Sequence, residues 1–278
     1  MARSSFTTAP PEVRYVLLTF PAPHVLLVTI NLAKQMNSLP VAACWEMDRV
    51  WKWFDAEDEL RVGIVTGAGN KAFSAGMDLK EHQAPNSTNS SPDLTHYPPT
   101  GFAGLTRRVG KKPIIAAVNG HAHGGGFEIA LNSDIVLASR NATFRLPDVM
   151  RGTAALEGAF PRICRTFGLQ RAMLLALTAY TLGAVEAKEW GLVAQVVGEE
   201  DVVREAVKMA NLMAGFSPDS LIVSRAGVRQ AWETASVDQS TSIISEKYAK
   251  ALMSGENALE GMKAFKEKRA PKWTGSKL

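Results

Sequence analysis

Residues 114–131 read Ile114-Ile115-Ala116-Ala117-Val118-Asn119-Gly120-His121-Ala122-His123-Gly124-Gly125-Gly126-Phe127-Glu128-Ile129-Ala130-Leu131. The apolar run from Ile114 to Val118, introduced by Lys112-Pro113, has the composition of a buried strand. Asn119 to His123 turns into the glycine triplet, and an apolar helix is predicted from about Phe127 to Leu131. Glycine lets a backbone bend sharply and lets a ligand approach with no Cβ in the way. The first amides of a helix have no intrahelical acceptor and point outward, so they can donate to a ligand oxygen. Glu128 falls in that first turn among apolar neighbours. A carboxylate there either complements the helix dipole or, half-buried, gains an elevated pKa suited to proton transfer.

Upstream, the β-rich run Arg61 to Gly67 leads to a second glycine turn, Ser74-Ala75-Gly76-Met77-Asp78. Two such turns facing one another make an oxyanion hole from backbone alone. Asp134 to Ala138 returns to strand character, and repeated units of strand, glycine turn and helix argue for an α/β core layered by helices. Nearer the start, Val16 to Phe20 and Val25 to Asn31 read as a hairpin around Pro21-Ala22-Pro23-His24. Ser38 and Pro40 open a helix whose Met47, Val50, Trp51 and Phe54 recur on one face.

After residue 160 the pattern is mainly helical: Leu169 to Thr178, Val185 to Trp190, Val202 to Met213, Asp219 to Trp232 and Ser242 to Met253, with Leu192 to Val197 a short strand or link. The expected organisation is a core over 1–200 and a helical region over 201–278 of the same functional unit. The first dozen residues are expected to be a loose arm, and the polar, proline-bearing residues 82–100 a long insertion that shapes the pocket.

Composition excludes several classes. There is no apolar run of membrane-spanning length; Met173 to Leu177 is far too short. The net charge of +4 is concentrated at the end of the chain, where Lys263, Lys266, Lys268, Arg269, Lys272 and Lys277 stand against Glu267 alone. A broad basic face for nucleic acid is therefore not expected, and a local anion site fits better. The triplet precedes Phe-Glu rather than Gly-Lys-Ser/Thr, which excludes a phosphate loop, and no convincing dinucleotide fingerprint occurs. His121 and His123 lack a third ligand in register, so no metal is expected and they read as pocket wall or turn hydrogen-bonding groups. Cys44 and Cys164 read as two buried thiols. Ser276-Lys277-Leu278, following a polar Thr274-Gly275, reads as a peroxisomal address exposed to an import receptor.

Taken together, these motifs resemble the enoyl-CoA hydratase/isomerase (crotonase) superfamily. The resemblance runs through Asn31 to Leu39, Ala72 to Glu81, Ile115 to Gly120, Gly124 to Glu128, Leu146-Pro147-Asp148, Gly191-Leu192-Val193 and Gly261 to Arg269. It implies an α/β crotonase-like spiral of repeated ββα units with a helical C-terminal region that forms a homotrimer or homohexamer. It also implies a coenzyme A thioester as substrate and no prosthetic group. By that resemblance Met77 and Gly125 supply the oxyanion amides and Glu128 is the first catalytic glutamate. Lys34, Ala75, Met77 and Leu79 line the CoA arm, and Phe265 and Lys268, from the same or an adjacent subunit, close over the adenine.

The second catalytic glutamate of hydratases falls on Asp148, whose reach is shorter by roughly 1.5 Å; a misplacement of that size costs on the order of 100-fold in rate. Leu32-Ala33 and Leu156 to Ala159 are further departures, and Leu156 stands where dienoyl isomerases and dehalogenases often carry aspartate. Glu157 is a wall or auxiliary group. The resemblance implies reversible syn hydration of a 2-enoyl-CoA. Double-bond isomerisation, dehydration of a branched hydroxyacyl-CoA in a biosynthetic route, and a non-catalytic CoA-binding module stand as alternatives.

Overall fold

The computed structural model describes residues 6–79, 81 and 97–278. Strands β1 (Val16–Ala22) and β2 (Val25–Ile30) form the expected hairpin, and α1 (Val41–Ala56) follows, with Met47, Val50, Trp51 and Phe54 all buried. Then come β3 (Val62–Gly67), β4 (Ala72–Ser74), β5 (Ile114–Val118), β6 (His121–His123), α2 (Gly125–Asn132), β7 (Ile135–Ser139) and β8 (Thr143–Arg145). The remainder is α3 (Ala159–Phe167), α4 (Leu169–Thr178), β9 (Leu182–Gly183), α5 (Ala184–Glu189), β10 (Gln195–Val197), α6 (Val202–Ala214), α7 (Pro218–Glu233), α8 (Val237–Ile244), α9 (Lys250–Ser254) and α10 (Glu256–Glu267).

Three strand pairs repeat. β3, β5 and β7 lie side by side and parallel in a six-stranded sheet of order β1-β2-β3-β5-β7-β10. Their partners β4, β6 and β8 lie in the same order and also parallel in a four-stranded sheet ending in β9. Each turn of the chain therefore leaves one sheet and enters the other, and the loops after β4 and β6 are stacked by construction. α6 packs on β3, β5 and β7 with Val202, Ala206, Ala210 and Ala214 buried, so the region after residue 200 begins inside the core.

Several expectations are corrected. The arm is docked from Phe6 onward: its ring meets Phe20 at 4.8 Å and Trp53 at 5.4 Å, and the Glu46 carboxylate accepts from the Arg14, Tyr15 and Val16 amides. The helix expected over 242–253 starts earlier, where Ser236 caps Gln239, and passes through a π turn at Ser245–Ala249 into α9. Cys44 is buried but Cys164 is exposed on α3. The end of the chain is tied down rather than loose. Trp273 Nε1 donates to Gly215 O (2.8 Å), the Thr274 amide donates to Asn257, Ser276 donates to Asp219, and Lys111 Nζ donates to the Leu278 oxygen (2.9 Å). Of the insertion expected over 82–100, residues 82–96 lie outside the described residues; 97–100 pack with Tyr97 buried. Among the described residues no helix is long and apolar enough to cross a membrane.

Candidate active site

The turn after β4 and the turn after β6 touch through their glycines. Gly76 has φ +90°, and a methyl group there would stand 2.9 Å from His123 O and 3.0 Å from the Gly125 nitrogen. On Gly126 a methyl would fall 2.1 Å from Ser74 O. Only bare backbone permits this approach.

Two asparagines hold the first turn from below. Asn37 accepts from Leu32 N and donates to Ala68 O (3.0 Å) and Ala72 O (2.7 Å), while Ser74 Oγ donates to Asn37 O (2.9 Å). Asn119 accepts from Gly67 N and donates to Gly67 O (2.9 Å) and Gly69 O (2.7 Å). The sequence shows both asparagines inside motifs, but not what they bond, because their partners come from other turns of the spiral.

Leu39 and Met77 form a short parallel bridge in which Leu39 N donates to Gly76 O (2.9 Å) and Asp78 N donates to Leu39 O (3.1 Å). Strand alternation then turns the Met77 N–H away from Leu39. At α2, Gly124 has φ 53° and its carbonyl takes the Phe127 and Glu128 amides, which leaves the Gly125 N–H at the open start of the helix. Neither the Met77 nor the Gly125 amide has an acceptor among the described residues. Two amides on adjoining turns, each without an acceptor among the described residues, are available to donate to a ligand oxygen.

Glu128 is 4% exposed, and its Oε1 accepts from Ala159 N at 3.1 Å. Burial pushes its carboxyl up to about 8; the Ala159 amide offsets part of this by favouring the carboxylate, and Asp148 and Glu157 add repulsion. Asp148 sits at the start of a single 3₁₀ turn, Asp148–Arg151. Its Oδ2 is buried without a partner among the described residues, and a methyl on Gly124 would stand 3.9 Å from it. Burial raises this carboxyl too, against its own backbone hydrogen bond and Arg151. Despite the shorter side chain, Asp148 therefore faces the same turn as Glu128.

Phe102 covers Gly125, where a methyl would meet the ring at 2.7 Å. Glu157 is 7% exposed, accepts from Thr106 Oγ1 at 3.3 Å and repels the Glu128 carboxylate. His121 and His123 both bond the Thr143 hydroxyl, at 2.8 and 3.0 Å, consistent with a turn hydrogen-bonding role. A cavity of about 440 Å³ lined by Leu131, Asp134, Arg162 and Trp232 holds neither oxyanion amide.

The turn carrying Ala75 adjoins the one carrying Lys34: Lys34 lies in the 3₁₀ turn Ala33–Gln35, and the Ala75 amide donates to Met36 O just after it, with Met77 and Leu79 following along the chain. Phe265 and Lys268 are not brought to them. They stand on and just after α10, which packs on α9 and against Trp273, with Phe265 88% exposed. Arg269, part of the basic run, is occupied by Glu260 and Glu267.

The geometry is thus two backbone amides without acceptors among the described residues, on adjoining turns beside the carboxyls of Glu128 and Asp148. The chain belongs to the enoyl-CoA hydratase/isomerase family, whose sequence profile matches residues 22–276. It is 45% identical over 272 residues to mevalonyl-coenzyme A hydratase sidH of Aspergillus fumigatus, covering 98% of this chain and 99% of that one. It is 35% identical to carnitinyl-CoA dehydratase of Escherichia coli O157:H7, covering 90% and 95%. Among solved structures, enoyl-CoA hydratase from Bacillus anthracis superposes with a TM-score of 0.85 at 29% identity, covering 95% of this chain and all of that one. The fold is the crotonase fold, and the chain is a lyase of the CoA-thioester hydratase type.

Proposed function

We propose that the chain reversibly adds water across the double bond of a branched 2-enoyl-CoA, with Met77, Gly125, Glu128 and Asp148 as the working groups. The thioester oxygen accepts the Met77 and Gly125 amides, which favour charge on that oxygen more in the transition state than in the ground state. Glu128 and Asp148 hold the water between them. One removes its proton as the Cβ–O bond forms, the other delivers a proton to Cα, and the roles reverse in dehydration. The two carboxyls repel each other's charge and so titrate as a pair.

The observation that carries this reading is the partnerless Asp148 Oδ2 facing the turn from which the Gly125 amide and Glu128 emerge. A double-bond isomerase needs one carboxyl; two raised carboxyls at one turn suit hydration. Branching rests on the similarity to a mevalonyl-coenzyme A hydratase.

Glu128→Gln and Asp148→Asn are each expected to lower kcat by about 10²–10⁴ while thioester binding persists, measured by mass-spectrometric product identification over straight and branched enoyl-CoAs. Near-wild-type turnover in both variants would refute the proposal, as would shifted double bonds without hydroxyacyl product.

The same reading places the CoA arm along Lys34, Ala75 and Leu79, with Phe265 and Lys268 reaching the adenine from a neighbouring subunit of a homotrimer or homohexamer. The exposure of Phe265 supports a role outside its own chain's pocket. Peroxisomal import through Ser276-Lys277-Leu278 requires the Lys111 and Asp219 contacts to open first.

A further inference from the structure

The hydration chemistry leaves Tyr97 unused. Its side chain is 6% exposed, and its hydroxyl is buried without a hydrogen-bond partner among the described residues. Native interiors seldom leave such a group unpaired.

Tyr97 begins the segment that covers the oxyanion turn. Its ring meets Phe102 edge-on at 5.8 Å, and Phe102 is the ring that closes on Gly125. Between them the chain turns tightly, with Gly101 N donating to Pro98 O at 2.7 Å. Glu157 stands against this turn: its Oε2 accepts from Thr106 and lies 2.5 Å from where a methyl on Gly101 would stand. Glu157 also precedes Gly158-Ala159, whose amide bonds Glu128. The phenol and this carboxylate are thus both buried beside the reacting pair. Burial, then the Cys44 thiol, Glu81 and Glu157, all hold the phenol in its neutral, donating form.

We propose that Tyr97 and Glu157 form a polar end to the acyl pocket and hold a hydroxyl carried by the acyl chain beyond its reacting carbons. The phenol donates to the hydroxyl oxygen and Glu157 accepts the hydroxyl proton, so one ligand group satisfies both. A hydrocarbon chain leaves the phenol unmet, while Glu157 keeps only its bond from Thr106. The inference deepens the hydratase reading and rests on it for the identity of the pocket. Sites built to bond a substrate hydroxyl reject the analogue that lacks it, whereas apolar walls discriminate weakly.

The test uses saturated thioesters, which do not react: ω-hydroxypentanoyl-CoA and pentanoyl-CoA, titrated calorimetrically against the full chain and against Tyr97→Phe and Glu157→Gln. The wild type should bind the hydroxylated probe at least about tenfold more tightly, and each substitution should shrink that ratio several-fold. A wild-type ratio near one, or a ratio unchanged in both variants, overturns the proposal. A parallel hydration assay on the corresponding 2-enoyl-CoAs separates the two readings. No hydration with the binding ratio intact refutes the hydratase chemistry and leaves this pair assigned; hydration without the ratio does the reverse.

Discussion

Glu128 carries a stability cost that its chemistry explains. Its carboxyl is raised from 4.5 to about 8 chiefly by burial, so the folded chain retains a proton that the unfolded chain releases. The contribution of this group to stability is complete below pH 4.5 and is lost as pH rises toward 8. A shift of this size corresponds to on the order of 5 kcal/mol. The thermal midpoint of Glu128→Gln should therefore gain on that of the wild type steadily across this window, by scanning calorimetry; a constant gap would show that burial does not hold the proton. Because hydration needs one proton on the pair, kcat should also fall above about pH 8. At this scale the sequence was partly readable. Phe127, Ile129, Ala130 and Leu131 around Glu128 announce its burial, whereas the Ala159 amide that steadies it is 31 positions away and leaves no local mark.

Single elements explain the glycines. Strand β5, the turn after it and α2 follow from an apolar run punctuated by glycine, and so were legible, whereas β6 fell within the stretch read as turn. What the pattern withheld was that Gly126 must clear Ser74 O and Gly76 must clear the Gly125 nitrogen, because those contacts join successive turns of the spiral. Gly126→Ala is expected to prise the turns apart. The loss of an oxyanion donor lowers kcat by about 10²–10³, and overpacking lowers stability by about 1–3 kcal/mol. Gly227→Ala on α7 is the contrast: nothing lies within 4 Å of the new methyl and the backbone is ordinary, so stability should rise by about 0.4–1 kcal/mol with the rate unchanged. Equal damage from both substitutions, in denaturant melts and initial rates, would contradict the steric account.

For the whole molecule, the apolar side chains of the helical region set the expectation. Val228, Val237, Met253, Leu259, Met262 and Phe265 are all more than half exposed in the single chain, a surface that assembly would cover. Sedimentation should give the mass of three or six 30.0 kDa chains. A fully active monomer would remove a neighbour's Phe265 and Lys268 from the site. The sequence showed these helices as amphipathic but not which faces stay bare, since exposure depends on how α7 to α10 fold against one another. Nor did it show that the final residues lie against Lys111 and Asp219, contacts that span 167 and 57 positions.

The proposed oxyanion donors belong to the main chain, which bears on pharmacology. On the proposed mechanism, a compound shaped like the enolate and anchored on the Met77 and Gly125 amides grips atoms that every amino acid except proline possesses. Replacing the Met77 side chain by any residue but proline leaves its N–H in place. Resistance would have to arise at Gly76, Gly125 or Gly126, where any Cβ meets an atom within 3.0 Å, or at the carboxyls. Either route damages turnover itself, so an escape mutant would inherit a weakened enzyme.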